Sequence, residues 1–322
     1  MKPRIIVTRR WPDAVERVLA ERFDVTLNQG DIPFTSTQLK AAMAGFDAIL
    51  PTVSDKLPAS VFPDEDGRTK LIANFGVGFS HIDLDAARQR GILVTNTPGV
   101  LTDCTADIAL SLLLAVARRT GEGERQLRAG KWSGWCPTHM IGAKVSGKTL
   151  GIIGMGRIGK AVAKRARFGF GMDIIFFNRS RVDDDELRAM AATQVSSIEE
   201  VLNRSDFVSL HCPGGAENRH LIDVKRIGAM KPGGFLINTA RGDVVDQDAL
   251  IQALENRTIA GAGLDVFAEE PLVPERLLRL NNVVLLPHLG SATEETRVAM
   301  GMKAVDNLIA FSEGRQPPDR VT

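Results

Sequence analysis

The chain contains no tyrosine and only three cysteines, Cys104, Cys136 and Cys212. For the missing tyrosines we have no physical account. The cysteines are odd in number and far apart and form no CxxC pair, which excludes a disulfide framework and fits a reducing, cytoplasmic setting. Long apolar runs are also lacking. The longest, Ile108 to Ala117, is too short to cross a bilayer. At the start, MKPRIIVTRR has charges on both sides of an apolar run too short for a signal-peptide core, so it reads as a first strand. Nor is there an excess of either charge. With 40 Lys and Arg against 39 Asp and Glu the net charge is +1, which argues against nucleic acid or an anionic membrane surface as the main partner. A small acidic substrate stays possible, because one well-placed arginine binds a carboxylate without moving the total. No low-complexity segment and no short-period repeat is present.

What is there is enough apolar residue, 44% of 322 positions, for a sizeable core and more than one domain. The opening alternates: IIVT, FDVTLN, FDAILPT, LIANFG and ILVTNTPG read as strands, with amphipathic helices between them at AVERVLAERF, TQLKAAMAGF and IDLDAARQRG. That rhythm predicts a parallel sheet with helices on both faces. Val100 to Arg119 then reads as one long apolar helix, followed by a Gly- and Trp-containing loop from Gly121 to Gly147. A second series of strands starts at KTLGIIGMGRIG and runs through DIIFFN, DFVSLHC, GGFLINTA, IAGAGLDVF and NNVVLLPH, with a last helix from Ala292 to Phe311. The expectation is an α/β protein of two doubly wound, Rossmann-like parallel-sheet domains.

Gly154-Met155-Gly156-Arg157-Ile158-Gly159 is a GxGxxG motif, following the strand TLGII and opening the helix KAVAKRARFG. In that context the glycines allow a tight turn, close approach of a pyrophosphate, and close packing of helix on strand, while the helix N-terminus offers free N–H groups to the phosphates. The next strand ends at Asn178-Arg179-Ser180-Arg181. A site specific for NAD usually has Asp or Glu there, bonded to the ribose 2′-OH. Arg179 and Arg181 can instead pair with a 2′-phosphate, so the stretch reads as NADP(H), with NAD(H) still possible. Three later strands end in NTARGDVVD, GLDVFAEEP and LLPHLGSAT, which place Arg241, Asp265, Glu270 and His288 at carboxyl ends, near the presumed cofactor crevice. Taken singly each has a bland reading; together with the Gly-rich turn they form a catalytic constellation.

Nearly the whole chain resembles the D-isomer-specific 2-hydroxyacid dehydrogenase family. The resemblance rests on NFGVGFSHIDL, TADIALSLLLAVAR, GIIGMGRIGKAVA, MKPGGFLINTARGDVVD, AGLDVFAEEP and NVVLLPHLGSAT. Through KWSGWCP and the run from GLDVF to GSAT it is most similar to the glyoxylate and hydroxypyruvate reductases. The resemblance implies a cofactor domain, 99–287, inserted into a split substrate domain, 1–98 plus 288–322. It also implies NADPH-dependent reduction of a small 2-oxo acid to the 2-hydroxy acid.

The implied roles are as follows. Arg241 would hold the substrate carboxylate and carbonyl, His288 would be the acid/base, and Glu270 would bond His288 and favour its imidazolium. Val53, Val77 and Gly78 would contact the substrate, the last two through their backbone. Asp265 would bond the nicotinamide carboxamide. Thr105, Gly154, Met155, Gly156, Arg157, Ile158, Asn178, Arg179, Ser180, Cys212, Pro213, Thr239, Ala240, His288 and Gly290 would contribute further cofactor contacts, and no metal is implied. Where many relatives have a Pro-Leu-Thr-like turn, this chain has Cys212-Pro213-Gly214-Gly215, which is expected to change only the backbone beside the adenosine half. The loop from Lys131 to Pro137 carries Trp132 and Trp135, and similar reductases use it to form a twofold dimer. A homodimer with Trp135 narrowing the neighbouring substrate cleft is therefore expected. The alternatives are another dehydrogenase of the family, acting on D-3-phosphoglycerate or another D-2-hydroxyacid, or a nucleotide-sensing corepressor. Gln, rather than Glu270, would be expected in a formate dehydrogenase.

Overall fold

Runs rich in Ile, Val and Leu alternate with amphipathic helices, and each run becomes a parallel strand. The computed structural model describes residues 2–63 and 67–322. They form two units, Met1–Leu101 with Ala292–Thr322, and Thr102–Ser291.

The first unit contains β1 (Arg4–Val7), β2 (Asp24–Leu27), β3 (Ala48–Leu50), β4 (Leu71–Ala73) and β5 (Leu93–Thr95), in the order β2-β1-β3-β4-β5. All four pairings are parallel. Parallel neighbours need crossovers, which the helices Asp13–Arg22, Ser36–Gly45 and Leu84–Gln89 help supply. The second of these starts on a capping box, in which the Gln38 N–H donates to Thr35 Oγ1 at 3.3 Å and the Thr35 N–H to Gln38 Oε1 at 2.8 Å. The last helix, Glu294–Ser312, returns to pack on Asp13–Arg22 and β4.

The second unit contains β6 (Thr149–Ile153), β7 (Asp173–Phe177), β8 (Thr193–Gln194), β9 (Phe207–Leu210), β10 (Phe235–Asn238), β11 (Gly261–Leu264) and β12 (Val283–Leu285). Their order is β12-β11-β10-β9-β6-β7-β8, with every pairing parallel. Strand order reverses between β6 and β9, and in open α/β sheets ligands bind at the carboxyl ends of the strands beside such a switch point. The helix Thr102–Ala117 buries Ala106, Ala109, Leu112, Leu113 and Val116 against the helix Arg157–Phe170 and strands β10 to β12. Each fully buried leucine there contributes about 1.5–3 kcal/mol relative to exposure.

One expectation fails. The apolar helix is not continuous to Arg119 and is not followed by a loop. It ends at Ala117, and a second helix, Thr120–Arg128, starts after Arg119, whose φ of 55° breaks the first. This second helix buries none of its residues. It carries ion pairs such as Arg119–Glu122 at 2.8 Å and Arg128–Glu124. Without an apolar face, and with Gly121 and Gly123 inside it, it gives no periodic signal.

Candidate active site

At the switch point of the second unit, Gly154 follows β6 with φ at +95°, in the left-handed region. A Cβ there would lie 2.6 Å from the Cys212 backbone nitrogen, so only glycine lets the turns after β6 and β9 touch. A Cβ on Gly156 would meet nothing within 4 Å, which marks open space above the turn. Gly156 also caps the helix Arg157–Phe170 with no side-chain hydrogen bond and no acidic residue in its first turn. The N–H groups of that turn are therefore left for an anion, as a pyrophosphate cradle requires. Met155 is buried in the core beneath, so only its backbone can serve a ligand. Beside the turn, burial lowers His211 to about 4 and raises the Cys212 thiol to about 11. Those shifts leave His211 and Cys212 neutral near pH 7, and His211 shares a 2.9 Å hydrogen bond with Ser209 Oγ.

The loop after β7 borders a cavity of about 550 Å³ lined by Phe177, Asn178, Arg179, Arg181, Arg188 and Gln194, among others. Asn178 Nδ2 donates to Ser180 at 3.3 Å, to both its carbonyl and its hydroxyl. Arg179 is 70% exposed and pairs at 2.7 Å with Glu217, which sits after the Cys212–Gly215 turn. That turn is fastened by Asp243, whose Oδ2 accepts from the Gly215 N–H at 2.9 Å.

The catalytic candidates come together after β10, β11 and β12. His288 Nδ1 and Glu270 Oε2 are 2.8 Å apart, and Glu270 Oε1 accepts from the Phe267 N–H at 3.1 Å. Burial pushes Glu270 up, but the His288 hydrogen bond and charge, the Phe267 amide and the Arg241 guanidinium outweigh it and hold the carboxyl below its ordinary range. Arg241 is held by a 2.7 Å bond from Nη1 to the Ala240 carbonyl. Among the described residues its guanidinium makes no other hydrogen bond, which leaves most of the fork for a ligand. Burial lowers Arg241, opposed by the charges of Glu270 and Asp243.

His288 has φ at +56°, a left-handed conformation that costs a non-glycine residue about 1–2 kcal/mol. Asp265 supports it: its carbonyl accepts from the His288 N–H at 3.0 Å, and its carboxylate from the N–H groups of Leu289 at 2.6 Å and Gly290 at 2.8 Å. Asp265 is 1% exposed, and burial raises its carboxyl against those amides. In this geometry Asp265 holds the His288 loop, a role the sequence reading did not assign to it. Thr105 adds to the same grip, its hydroxyl donating to the Gly290 carbonyl at 3.0 Å. Thr239 and Ala240 lie buried where β10 gives way to Arg241.

Within the first unit, Val77 and Gly78 lie after β4 in a loop held from below. Asn74 Nδ2 donates to the carbonyls of Gly76 at 3.0 Å and Gly78 at 3.1 Å, and Asn96 Nδ2 to that of Val77 at 2.8 Å. The Gly76 N–H donates to the Asn74 carbonyl at 3.1 Å, while among the described residues those of Val77 and Gly78 make no hydrogen bond and are left to offer a ligand. Val53 packs against Gly76.

Reading the sequence alone missed Gln194, Glu217, Asp243, Asn74 and Asn96. All are polar residues that fasten a loop or another side chain; Asn74, Asn96 and Asp243 stand inside stretches read for other residues, while Gln194 and Glu217 stand in no motif. Among the described residues no cluster of three or more His, Cys, Asp or Glu could hold a metal ion, and no helix is long and apolar enough to cross a membrane.

Residues 110–290 match the model of the D-isomer specific 2-hydroxyacid dehydrogenase NAD binding domain. A glyoxylate reductase of Thermococcus litoralis is 45% identical over 100% of this chain and 97% of its own length. Another, of Korarchaeum cryptofilum, is 45% identical over 100% of this chain and 96% of its own. Among solved structures, an NADPH-dependent glyoxylate/hydroxypyruvate reductase of Sinorhizobium meliloti, in complex with NADP and malonate, superposes with a TM-score of 0.88. It is 36% identical and covers 100% of this chain and 97% of its own. The chain belongs to the D-isomer-specific 2-hydroxyacid dehydrogenase family, and its second unit is a domain for a nicotinamide dinucleotide.

Proposed function

We propose that this chain reduces a small 2-oxo acid, glyoxylate or hydroxypyruvate, to glycolate or D-glycerate, with NADPH preferred over NADH. The observation that carries the reading is the 2.8 Å pair of His288 and Glu270 near the half-buried, largely unpartnered Arg241. A reduced nicotinamide held at the Gly-rich turn would supply the hydride for the carbonyl carbon. Glu270 engages His288 Nδ1 and fixes the ring, which leaves Nε2 to deliver a proton to the carbonyl oxygen and to take it back in oxidation. Arg241 binds the substrate carboxylate and carbonyl through its fork. Val77 and Gly78 bind the carboxylate through their N–H groups. Asp265 and Thr105 keep His288 in its left-handed conformation. In this reading the first unit is the substrate domain and the second the cofactor domain, in a cytoplasmic enzyme.

The preference for NADPH rests on Arg179, with Ser180 and Arg181 in support. An exposed arginine contact to a 2′-phosphate contributes about 1 kcal/mol, roughly five- to tenfold in affinity. Because Arg179 must leave Glu217, the lower end of such a preference is expected. Arg179→Ala should raise KM for NADPH and leave NADH nearly unchanged.

The proposed assembly is a homodimer. Trp135 is 82% exposed and Trp132 53%, with Leu127 and Ile141 also exposed nearby in sequence. Large apolar side chains gathered in one segment usually mark an interface. A monomeric mass at micromolar concentration would count against it.

A steady-state panel of glyoxylate, hydroxypyruvate, pyruvate and phenylpyruvate, each with NADH and NADPH, tests the reading. Turnover greatest with the first two and NADPH is the expected result. Absence of turnover with all four contradicts the activity, and equal use of both cofactors contradicts the preference.

A further inference from the structure

The loop after β7 carries the side chains proposed to meet a 2′-phosphate, yet its shape is not set by its own backbone. Among the described residues, no main-chain to main-chain hydrogen bond involves residues 178–182. A single side chain from another strand supplies the missing partners. Gln194 Nε2 donates to the Ser180 carbonyl at 2.9 Å and to the Asn178 carbonyl at 3.4 Å, and Gln194 Oε1 accepts from the Val182 N–H at 2.9 Å. The terminal amide thus acts as a short length of backbone laid against the loop, with donor and acceptor both used. Its own position is fixed by the ladder, since Gln194 pairs with Phe176 on the edge of the sheet and the following Val195 N–H donates to the Phe176 carbonyl at 2.9 Å. This explains why a strand of only two residues is kept at that edge: it places the Gln194 amide where β7 ends.

The consequence concerns Arg179 and Ser180. With the carbonyls of Asn178 and Ser180 turned onto Gln194, and Asn178 Nδ2 bonded back to Ser180, the turn from 178 to 182 is held in one curl. The alternative is a surface loop sampling many conformations, in which each binding event would first have to order it. Preorganisation of this kind affects only a ligand that touches the loop's tip. An adenosine lacking the 2′-phosphate asks little of Arg179 and Ser180.

We propose that Gln194 is a specificity-determining positioning residue, which presents Arg179 and Ser180 to the 2′-phosphate of NADP(H) without touching it. The inference rests on the NADPH reading above. The test is calorimetric binding of adenosine 2′,5′-bisphosphate and of adenosine 5′-monophosphate to the full chain and to Gln194→Met, which keeps length and packing and removes the hydrogen bonds. Gln194→Ala serves as a second variant, and thermal melts monitor folding. The unmodified chain should bind the bisphosphate more tightly than the monophosphate. In both variants the bisphosphate should weaken by about three- to fivefold, most of its advantage, while the monophosphate changes less than about twofold. An unmodified chain with equal affinity for the two nucleotides overturns the NADPH reading itself. Discrimination that survives intact in both variants overturns the role of Gln194 alone. So does equal weakening of both nucleotides, which would make Gln194 a general support of the fold.

Discussion

The two units share an architecture and differ at the place where it matters. Each is a parallel sheet with a switch point, between β1 and β3 in one and between β6 and β9 in the other. In the second unit the switch point is lined by glycine and left open, with the helix Arg157–Phe170 uncapped above it. In the first unit the same place is filled. Asp55, 3% exposed, accepts from Thr8 Oγ1 at 2.7 Å and from the Thr52 N–H at 2.8 Å, tying the turns after β1 and β3 together. Arg9 is bound to Asp31 at 2.8 Å, and that bond, with the Arg10 amide, holds the Asp31 carboxyl low. Trp11 is buried just before the helix Asp13–Arg22, whose cap is Pro12. One fold thus carries a dinucleotide cradle in one copy and a closed polar plug in the other, because ligand sites are set by loops rather than by sheets.

The comparison can be broken most severely at Gly154. Gly154→Ala combines left-handed strain of about 1–2 kcal/mol with overlap against the Cys212 backbone. It should abolish dinucleotide binding in a fluorescence titration. Gly91→Ala in the first unit has the same kind of strain, with φ at +64°, but nothing within 4 Å of the new Cβ. It should cost only about 1–2 kcal/mol in urea unfolding and leave dinucleotide affinity unchanged. Next comes the plug. Asp55→Ala should cost roughly 2–3 kcal/mol by leaving the Thr52 N–H unpaired and the Thr8 hydroxyl with only the Leu50 carbonyl at 3.3 Å, again without loss of dinucleotide affinity.

A smaller effect is tied to pH. His211 is lowered from 6.5 to about 4 by burial, so the unfolded chain takes up a proton before the folded one. Stability is therefore full above about pH 6.5 and falls as pH drops toward 4, by about 2 kcal/mol at pH 4.5. Urea titrations at pH 7 and 4.5 should show that difference shrinking in His211→Asn. Smallest is Glu270→Gln, which should lower kcat by about tenfold or less and leave NADPH affinity unchanged, since the amide oxygen can still accept from the His288 ring but brings no charge to it. An unchanged kcat would dismiss the pairing as unimportant to proton transfer.

How much of this the sequence revealed follows from what each feature depends on. Strands buried on both faces read as continuous apolar runs, so most of both sheets was legible, as was the helix facing β10 to β12; the two-residue β8, which buries neither of its residues, was not. The Gly-rich turn and the strand-end residues Arg241, Glu270 and His288 were legible because chemistry demands particular residues there. The helix Thr120–Arg128 was not, because it has no buried face to impose a period. Gln194 and the loop-holding role of Asp265 stayed hidden for another reason. Each works through hydrogen bonds to main chain 12 to 25 positions away, and such bonds leave no local pattern.

The most direct test of the account compares NADPH oxidation by glyoxylate in the unmodified protein and in His288→Asn, with NADPH affinity measured in parallel. The account predicts turnover in the former, a fall in kcat of about 10²-fold or more in the latter, and nearly equal NADPH affinity in both. Undiminished turnover in His288→Asn, or none in the unmodified protein despite bound NADPH, would contradict it.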